Sequence, residues 1–285
     1  MDSRIPSSVQ EMLTDYLKGL EETFADSVRG VYLHGSLALN DFDSCSEVDF
    51  VSMLDHDLNC EEMALLTDLH SDISDKYPHR IMQGSYINWS DQKDSSCLPL
   101  MDRLRTENDK KVSAPYFDGF MMTMSAKENV NPVTWWVLKQ NGIPLKGPEP
   151  VDLPFKLNEE DLVDYVYENM QVYWKKRVEK FWQAAYHEAS LPQNELDGEV
   201  AWTVLGLLRQ LYTLREQKVI SKLSAADYGL QHLPEAFHTI IKEAVRIRKQ
   251  APISTISLTN EAKLEDTYKL SHYIFEWADL QQKSS

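Results

Sequence analysis

Two acids set one residue apart in an apolar stretch, Glu47 and Asp49, constrain the fold of this chain more than any other feature. Side chains alternate between the two faces of a β-strand, so both carboxylates point to one face while Val48 points to the other, into a core. Neighbouring carboxylates repel each other unless a cation lies between them. Mg2+ prefers such oxygen ligands and commonly holds a substrate's phosphates as well. The pair therefore predicts a strand that carries a metal site.

A Gly-Ser turn stands shortly before the acids. Gly35 and Ser36 follow the apolar residues 31–33, which read as a first strand. Such a turn offers backbone N–H groups and a hydroxyl to phosphate oxygens. A Gly-Ser pair alone carries no information, and two acids on a strand are often only a solvated face. The combination of strand, turn and acidic strand predicts a metal–nucleotide site.

The composition limits the compartment and the partners. A length of 285 residues suits two domains, and a formal net charge of −16 repels nucleic acid and anionic membranes. This charge is compatible with a cationic substrate, although many soluble proteins are acidic without a special partner. The three cysteines lack the spacing of a zinc site and favour free thiols in a reducing compartment. We expect a cytoplasmic monomer that binds neither nucleic acid nor membranes.

The first half of the chain mixes helical and strand-like patterns. Apolar residues recur at helical spacing in 7–26 and 61–76, and the strand-like segments are 31–33, 48–53, 81–87 and 116–124, with a polar loop at 88–112. This order predicts an α/β (α+β) domain with a mixed sheet. The Gly- and Pro-rich segment 142–150 is expected to be a domain boundary or a linker. The expected domains are therefore residues 1–150 and 151–285.

The second half reads as helical throughout. Helical spacing recurs in five segments, 158–187, 199–216, 224–231, 234–249 and 260–281. They predict an all-α helical bundle domain. Trp174, Trp182 and Trp202 on these helices can stack on a sugar or pack between helices, and we favour packing.

Three motifs together resemble a known family. Gly35-Ser36 and the run from Ser46 to Asp49 resemble the signature of the nucleotidyltransferase superfamily related to DNA polymerase beta, and residues 81–87 resemble its third strand. Residues 218–226 resemble the C-terminal helical domain of the streptomycin and spectinomycin adenylyltransferases. The resemblance implies an enzyme that uses Mg2+ and transfers AMP from ATP to a hydroxyl of a small cationic acceptor, first of all an aminoglycoside. It also implies an active site between the two domains.

The resemblance assigns roles to individual residues of the first domain. Gly35 and Ser36 would hold the triphosphate, and Ser46 would support it. Glu47 and Asp49 would bind Mg2+, which bridges the phosphates and stabilises the charge that develops during transfer.

The second domain contributes three further candidates. Lys222 would reach the phosphates, although a lysine at such a position is normally a solvated charge. The resemblance favours Glu199 as a contact to a cationic aminoglycoside, and Asp197 is a second candidate for that contact. The alternative is that these acids only stabilise the start of a helix.

Two positions depart from the family pattern. The first acid of the metal-binding pair is usually Asp, whereas this chain has Glu47. The third strand usually carries a Glu that takes the proton from the acceptor hydroxyl, whereas this chain has Gln83, and an amide cannot accept that proton at neutral pH. Water or phosphate could take the proton in a slow enzyme, the chain could bind small molecules without catalysis, or Gln83 could be a deliberate Glu-to-Gln substitution.

Overall fold

The computed structural model describes residues 2–89, 114–124, 131–187, 192–252 and 258–282. The chain divides into two compact units, Met1–Asn158 and Glu159–Ser285. The predicted polar loop at 88–112 lies almost wholly outside the described residues. None of the helices in the described ranges combines the length and the apolar character that crossing a bilayer requires.

The described part of the first unit contains a mixed sheet of six strands in the order β5-β4-β3-β2-β1-β6, which confirms the predicted fold class. β2 and β3 run parallel, and the other neighbouring strands are antiparallel. The strands are β1 Val28–Leu33, β2 Val48–Leu54, β3 Met82–Asn88, β4 Pro115–Phe117, β5 Met122–Met124 and β6 Ile143–Lys146.

Alternation along β2 sends successive side chains into two separate cores. Val48 and Phe50 pack on one face, in a core shared with three helices, while Val51 and Met53 pack on the other. The second face is closed in part by Trp135 and its neighbours. The described helices of this unit are α1 Ser7–Phe24, α2 Gly35–Ala38, α3 Cys60–Lys76 and α4 Pro132–Asn141.

Two sequence interpretations of the first unit are wrong. Residues 143–146 are not a linker, because they form the edge strand β6 against β1. Beyond them, Leu153 and Phe155 still pack in the core with Trp135. Residues 116–124 are not one strand, because the Asp118 carboxylate accepts the N–H groups of Phe120 and Met121 and turns the chain between β4 and β5.

The described residues of the second unit form only helices and loops, which confirms the predicted helical bundle. The long helix α7 lies at its centre and buries many of its side chains against the neighbouring helices. The helices are α5 Glu159–Asn169, α6 Lys175–His187, α7 Gln193–Glu216, α8 Lys222–His232, α9 His238–Arg248 and α10 Asn260–Gln282.

The predicted helix at 158–187 is interrupted by a π-helical turn, Met170–Trp174. The turn places the buried Trp174 ring against Gly206 of α7, where an added Cβ would lie 2.2 Å from Cη2 of the ring. Trp174 is therefore core, as expected. Trp202 is not, because 45% of its surface is exposed. The acids at 194–199 also belong to α7 itself, which begins at Gln193 rather than at 199.

Candidate active site

Asp49 and Gln83 lie side by side near the start of two parallel strands. Asp49 of β2 is the register partner of Gln83 of β3, and the two side chains project from the same face of the sheet. Glu47 is exposed and immediately precedes β2. The starts of two central strands thus bring together one predicted metal ligand, Asp49, and the position of the missing base.

Gly35 touches the Asp49 carboxylate. Its φ of +60° lies in the left-handed region, and a Cβ added there would come within 1.9 Å of Asp49 Oδ2. The backbone N–H of His34 also donates to the carbonyl oxygen of Asp49, at 3.0 Å. Only a glycine permits both this backbone conformation and this close approach. The predicted turn and the predicted acid therefore form one local structure.

The hydroxyl of Ser36 fits a ligand group. Its Oγ is buried and has no hydrogen-bond partner among the described residues. A buried polar atom without a partner costs free energy, and a phosphate oxygen would satisfy it. Ser36 and the turn at Gly35 are thus compatible with a phosphate beside Asp49.

Ser46 shapes the loop before β2. Its hydroxyl donates to Asp43 Oδ1 at 3.0 Å and accepts the backbone N–H of Asp43 at 3.1 Å. These bonds close a tight turn just ahead of Glu47. The contact with Asp43 was not predicted from the sequence.

The amide of Gln83 is hydrogen-bonded at both ends. Its Nε2 donates to Asp49 Oδ1 at 3.1 Å, and the hydroxyl of Tyr116 donates to its Oε1 at 3.1 Å. Sequence reasoning missed Tyr116, since only the pairing of β4 with β3 brings it there. Gln83 therefore orients the Asp49 carboxylate and holds no negative charge of its own.

The donor set suits a hard cation that also binds phosphate. The described residues contain no group of three or more His, Cys, Asp and Glu side chains that could hold a metal. Mg2+ is commonly held by one or two carboxylates together with substrate phosphates and water, so a site built on Asp49 and Glu47 would not need a larger cluster. Burial lowers the pKa of His34 beside the turn to about 4, so this imidazole is neutral at neutral pH.

In the second unit, Lys222 and Arg177 both lie near Trp202, and Arg177 is the partner of Glu199. The Nζ atom of Lys222 lies 4.6 Å from the centre of the indole ring. Arg177 lies with its Cζ 5.8 Å from the same ring and forms a charge-assisted hydrogen bond to Glu199 Oε1. The other carboxylate oxygen of Glu199 is buried and has no partner within the described ranges. The fold therefore brings Lys222 to this aromatic side chain directly and links Glu199 to it through Arg177.

Asp197 takes part in a buried ion network. Its Oδ1 lies 2.7 Å from Nζ of Lys263, which is itself buried and also lies 3.1 Å from Glu243. Arg246 pairs with Glu243 and lies 4.0 Å from Asp197. The charge of Asp197 is therefore balanced within the helical unit, and its role as an acceptor contact stays a prediction.

Residues 177–270 match the family model described as aminoglycoside adenylyltransferase, C-terminal domain. Among solved structures, the chain is similar to the spectinomycin adenyltransferase AAD(9) from Enterococcus faecialis, crystallised with ATP and spectinomycin, with a TM-score of 0.64. The family match thus covers part of the helical unit, and the structural match concerns the fold.

The likeness to the aminoglycoside adenylyltransferase fold extends over both units. The match to AAD(9) covers 93% of this chain and 98% of that chain, at 15% sequence identity. Identity at this level shows a shared fold, and the fold includes the mixed sheet and the helical bundle. No curated protein matches the sequence.

Proposed function

We propose that this chain is a Mg2+-dependent adenylyltransferase that transfers AMP from ATP to a hydroxyl of an aminoglycoside. The observation that carries the proposal is the contact of the Gly35 turn with Asp49, beside the buried Ser36 hydroxyl, which has no hydrogen-bond partner in the described part of the chain. These groups offer a hydroxyl to a phosphate and a carboxylate to the cation that accompanies it. The family match of the helical unit supports the aminoglycoside as acceptor class.

Each residue has a defined task in this proposal. The hydroxyl of Ser36 and the backbone at Gly35 bind phosphate oxygens, and Ser46 holds the preceding loop. Glu47 and Asp49 hold Mg2+, which when bound neutralises the developing charge on the phosphates. In the helical unit, Lys222 contributes a positive charge to the phosphates.

The acceptor contact is proposed for Glu199. Its Oε2, which no described residue contacts by a hydrogen bond, is an acceptor for an ammonium group or a hydroxyl. Arg177 already balances part of its charge, so an acceptor cation competes with this arginine for the carboxylate. We therefore propose that Glu199 orients the acceptor and that other groups supply much of the binding free energy.

The proton of the acceptor hydroxyl has no carboxylate to receive it at position 83. Transfer forms a bond between the acceptor oxygen and the α-phosphorus and releases pyrophosphate, while the proton passes to water or to a phosphate oxygen. General-base catalysis typically contributes about 100- to 10,000-fold to a rate, so we propose that turnover is slow by a factor of this order.

Binding and turnover test the proposal separately. Calorimetry with ATP should show binding that requires Mg2+ and is lost in Asp49→Ala, while Asp68→Ala, a change at an exposed position of α3, should bind as the parent does. Mg2+-dependent binding that survives Asp49→Ala would contradict the assignment of the site.

Pyrophosphate release with a panel that includes streptomycin and spectinomycin then compares the parent with Gln83→Glu. At saturating ATP and Mg2+ we expect Gln83→Glu to accelerate transfer, because it supplies the missing base, although it also removes the amide that donates to Asp49.

A second candidate function is binding of nucleotides or small molecules without catalysis. The observation that favours it is the Gln83 amide, which is engaged by Asp49 and Tyr116 and cannot act as a base. Under this alternative, ATP and Mg2+ bind, but neither the parent nor Gln83→Glu releases pyrophosphate with any acceptor in the panel.

A further inference from the structure

Tyr116 is a buried side chain of β4 that reaches the candidate site from the neighbouring strand. Only 5% of its surface is exposed, and its register partner is Ser85 of β3. The next residue, Phe117, projects to the opposite face and stacks on His70 of α3 with ring centroids 3.9 Å apart. Alternation therefore fixes Tyr116 on the face that carries Gln83 and Asp49.

The hydrogen bonds from Tyr116 through Gln83 to Asp49 can run in one direction only. An ionised carboxylate accepts and does not donate, so Gln83 must present its Nε2 to Asp49. The amide oxygen then faces Tyr116, whose phenol supplies the single proton of that bond. The phenol thus holds the amide in the one orientation that supports the carboxylate.

We propose that Tyr116 is a positioning residue that acts through Gln83 on Asp49. In this chain, position 83 on the third strand then orients the carboxylate proposed to bind the cation. A glutamate at that position would instead take the proton of the acceptor hydroxyl. The role in cation binding depends on the proposed function, whereas the orientation of Gln83 does not.

A test without any ligand uses the side-chain amide of Gln83. In protein labelled with 15N-glutamine, the two Nε2 protons give a pair of resonances that Gln83→Ala identifies by their loss. Tyr116→Phe removes only the hydroxyl, so we expect this pair to shift and the amide group to rotate faster. Tyr32→Phe is the matched control, because this buried tyrosine of β1 donates to the carbonyl oxygen of Pro148 at 3.1 Å instead. An unchanged Gln83 pair in Tyr116→Phe would overturn the proposal.

A second measurement tests the route through Gln83. The hydrogen bond that Tyr116→Phe removes joins two neutral groups, and such a bond changes an affinity by up to about tenfold. Tyr116→Phe should therefore weaken Mg2+-dependent ATP binding by up to about that factor. In a Gln83→Ala background the same change should have no further effect, because the connection to Asp49 is already absent.

A purely structural role of Tyr116 would give equal losses of affinity in both backgrounds, and that result would overturn the proposal. If the parent chain binds no ATP, the proposed function fails, and the amide resonances still decide whether Tyr116 orients Gln83.

Discussion

Gly35→Ala tests whether the turn and the acid form one binding structure. The change adds a single methyl group at a position with φ of +60°. That methyl carbon would lie 1.9 Å from Asp49 Oδ2 and 2.7 Å from its Cγ, whereas real Cβ contacts are essentially never under 3.0 Å. The carboxylate or the turn must therefore move by about 1 Å, a displacement that is large for a catalytic group.

Two magnitudes follow from this geometry. A left-handed backbone costs a residue with a Cβ about 1–2 kcal/mol, so the free energy of unfolding should fall by about that amount. Displacement of Asp49 should remove the charge-assisted contacts proposed between its carboxylate and Mg2+ with ATP. Such contacts are worth about 1.5–3 kcal/mol, so the affinity for ATP with Mg2+ should fall about 10- to 100-fold. The loss of binding should thus exceed what partial unfolding explains.

The assay is calorimetry with ATP and Mg2+ alongside urea unfolding. Gly198→Ala is the matched control, because nothing lies within 4 Å of an added Cβ at that helical position. The control should gain up to about 1 kcal/mol of stability and keep its affinity. An unchanged affinity in folded Gly35→Ala would refute the argument that Gly35 and Asp49 act together.

The remaining predictions concern buried ionisable groups. Burial lowers the pKa of His70 to about 3. Below about pH 6.5 this group therefore binds a proton in the unfolded chain but not in the folded chain, and the free energy of unfolding decreases as the pH is lowered. From pH 7 to pH 5 this group should lower the free energy of unfolding by about 2 kcal/mol in the parent, and His70→Phe should lack this loss. Equal losses in the two proteins, measured by urea unfolding, would contradict the argument. Lys263→Met leaves Glu243 and Asp197 without their buried ammonium partner and should cost about 3 kcal/mol, whereas Lys269→Met at an exposed pair should cost under about 1 kcal/mol by the same method.

Local sequence patterns were sufficient for most of the regular structure. The spacing at 7–26 and 61–76 predicted α1 and α3, and the alternation around Asp49 predicted β2. The two helices could be predicted because each buries one regular face, and β2 could be predicted because apolar residues alternate with the acids at its start. Short edge strands escaped this reasoning, since β6 contains a proline and its place beside β1 depends on a partner distant in the chain.

Only part of the candidate site could be predicted from the sequence. Gly35 and Asp49 are close in sequence, and the structure brings them into contact. Tyr116 was missed because its role depends on the pairing of β4 with β3. The pairing of Glu199 with Arg177 was missed as well, because it joins two different helices.

The sequence alone determined that this chain has a mixed sheet, a helical bundle and a strand with paired acids, because chain-local periodicity and turn chemistry encode these features. Only the tertiary structure decided what each polar side chain bonds to. Hydrogen bonds between strands and between helices join residues far apart in sequence, and short-range spacing carries no record of them. The amide of Gln83 shows the difference, since the sequence reveals an absent base, while the fold reveals an oriented donor between Tyr116 and Asp49.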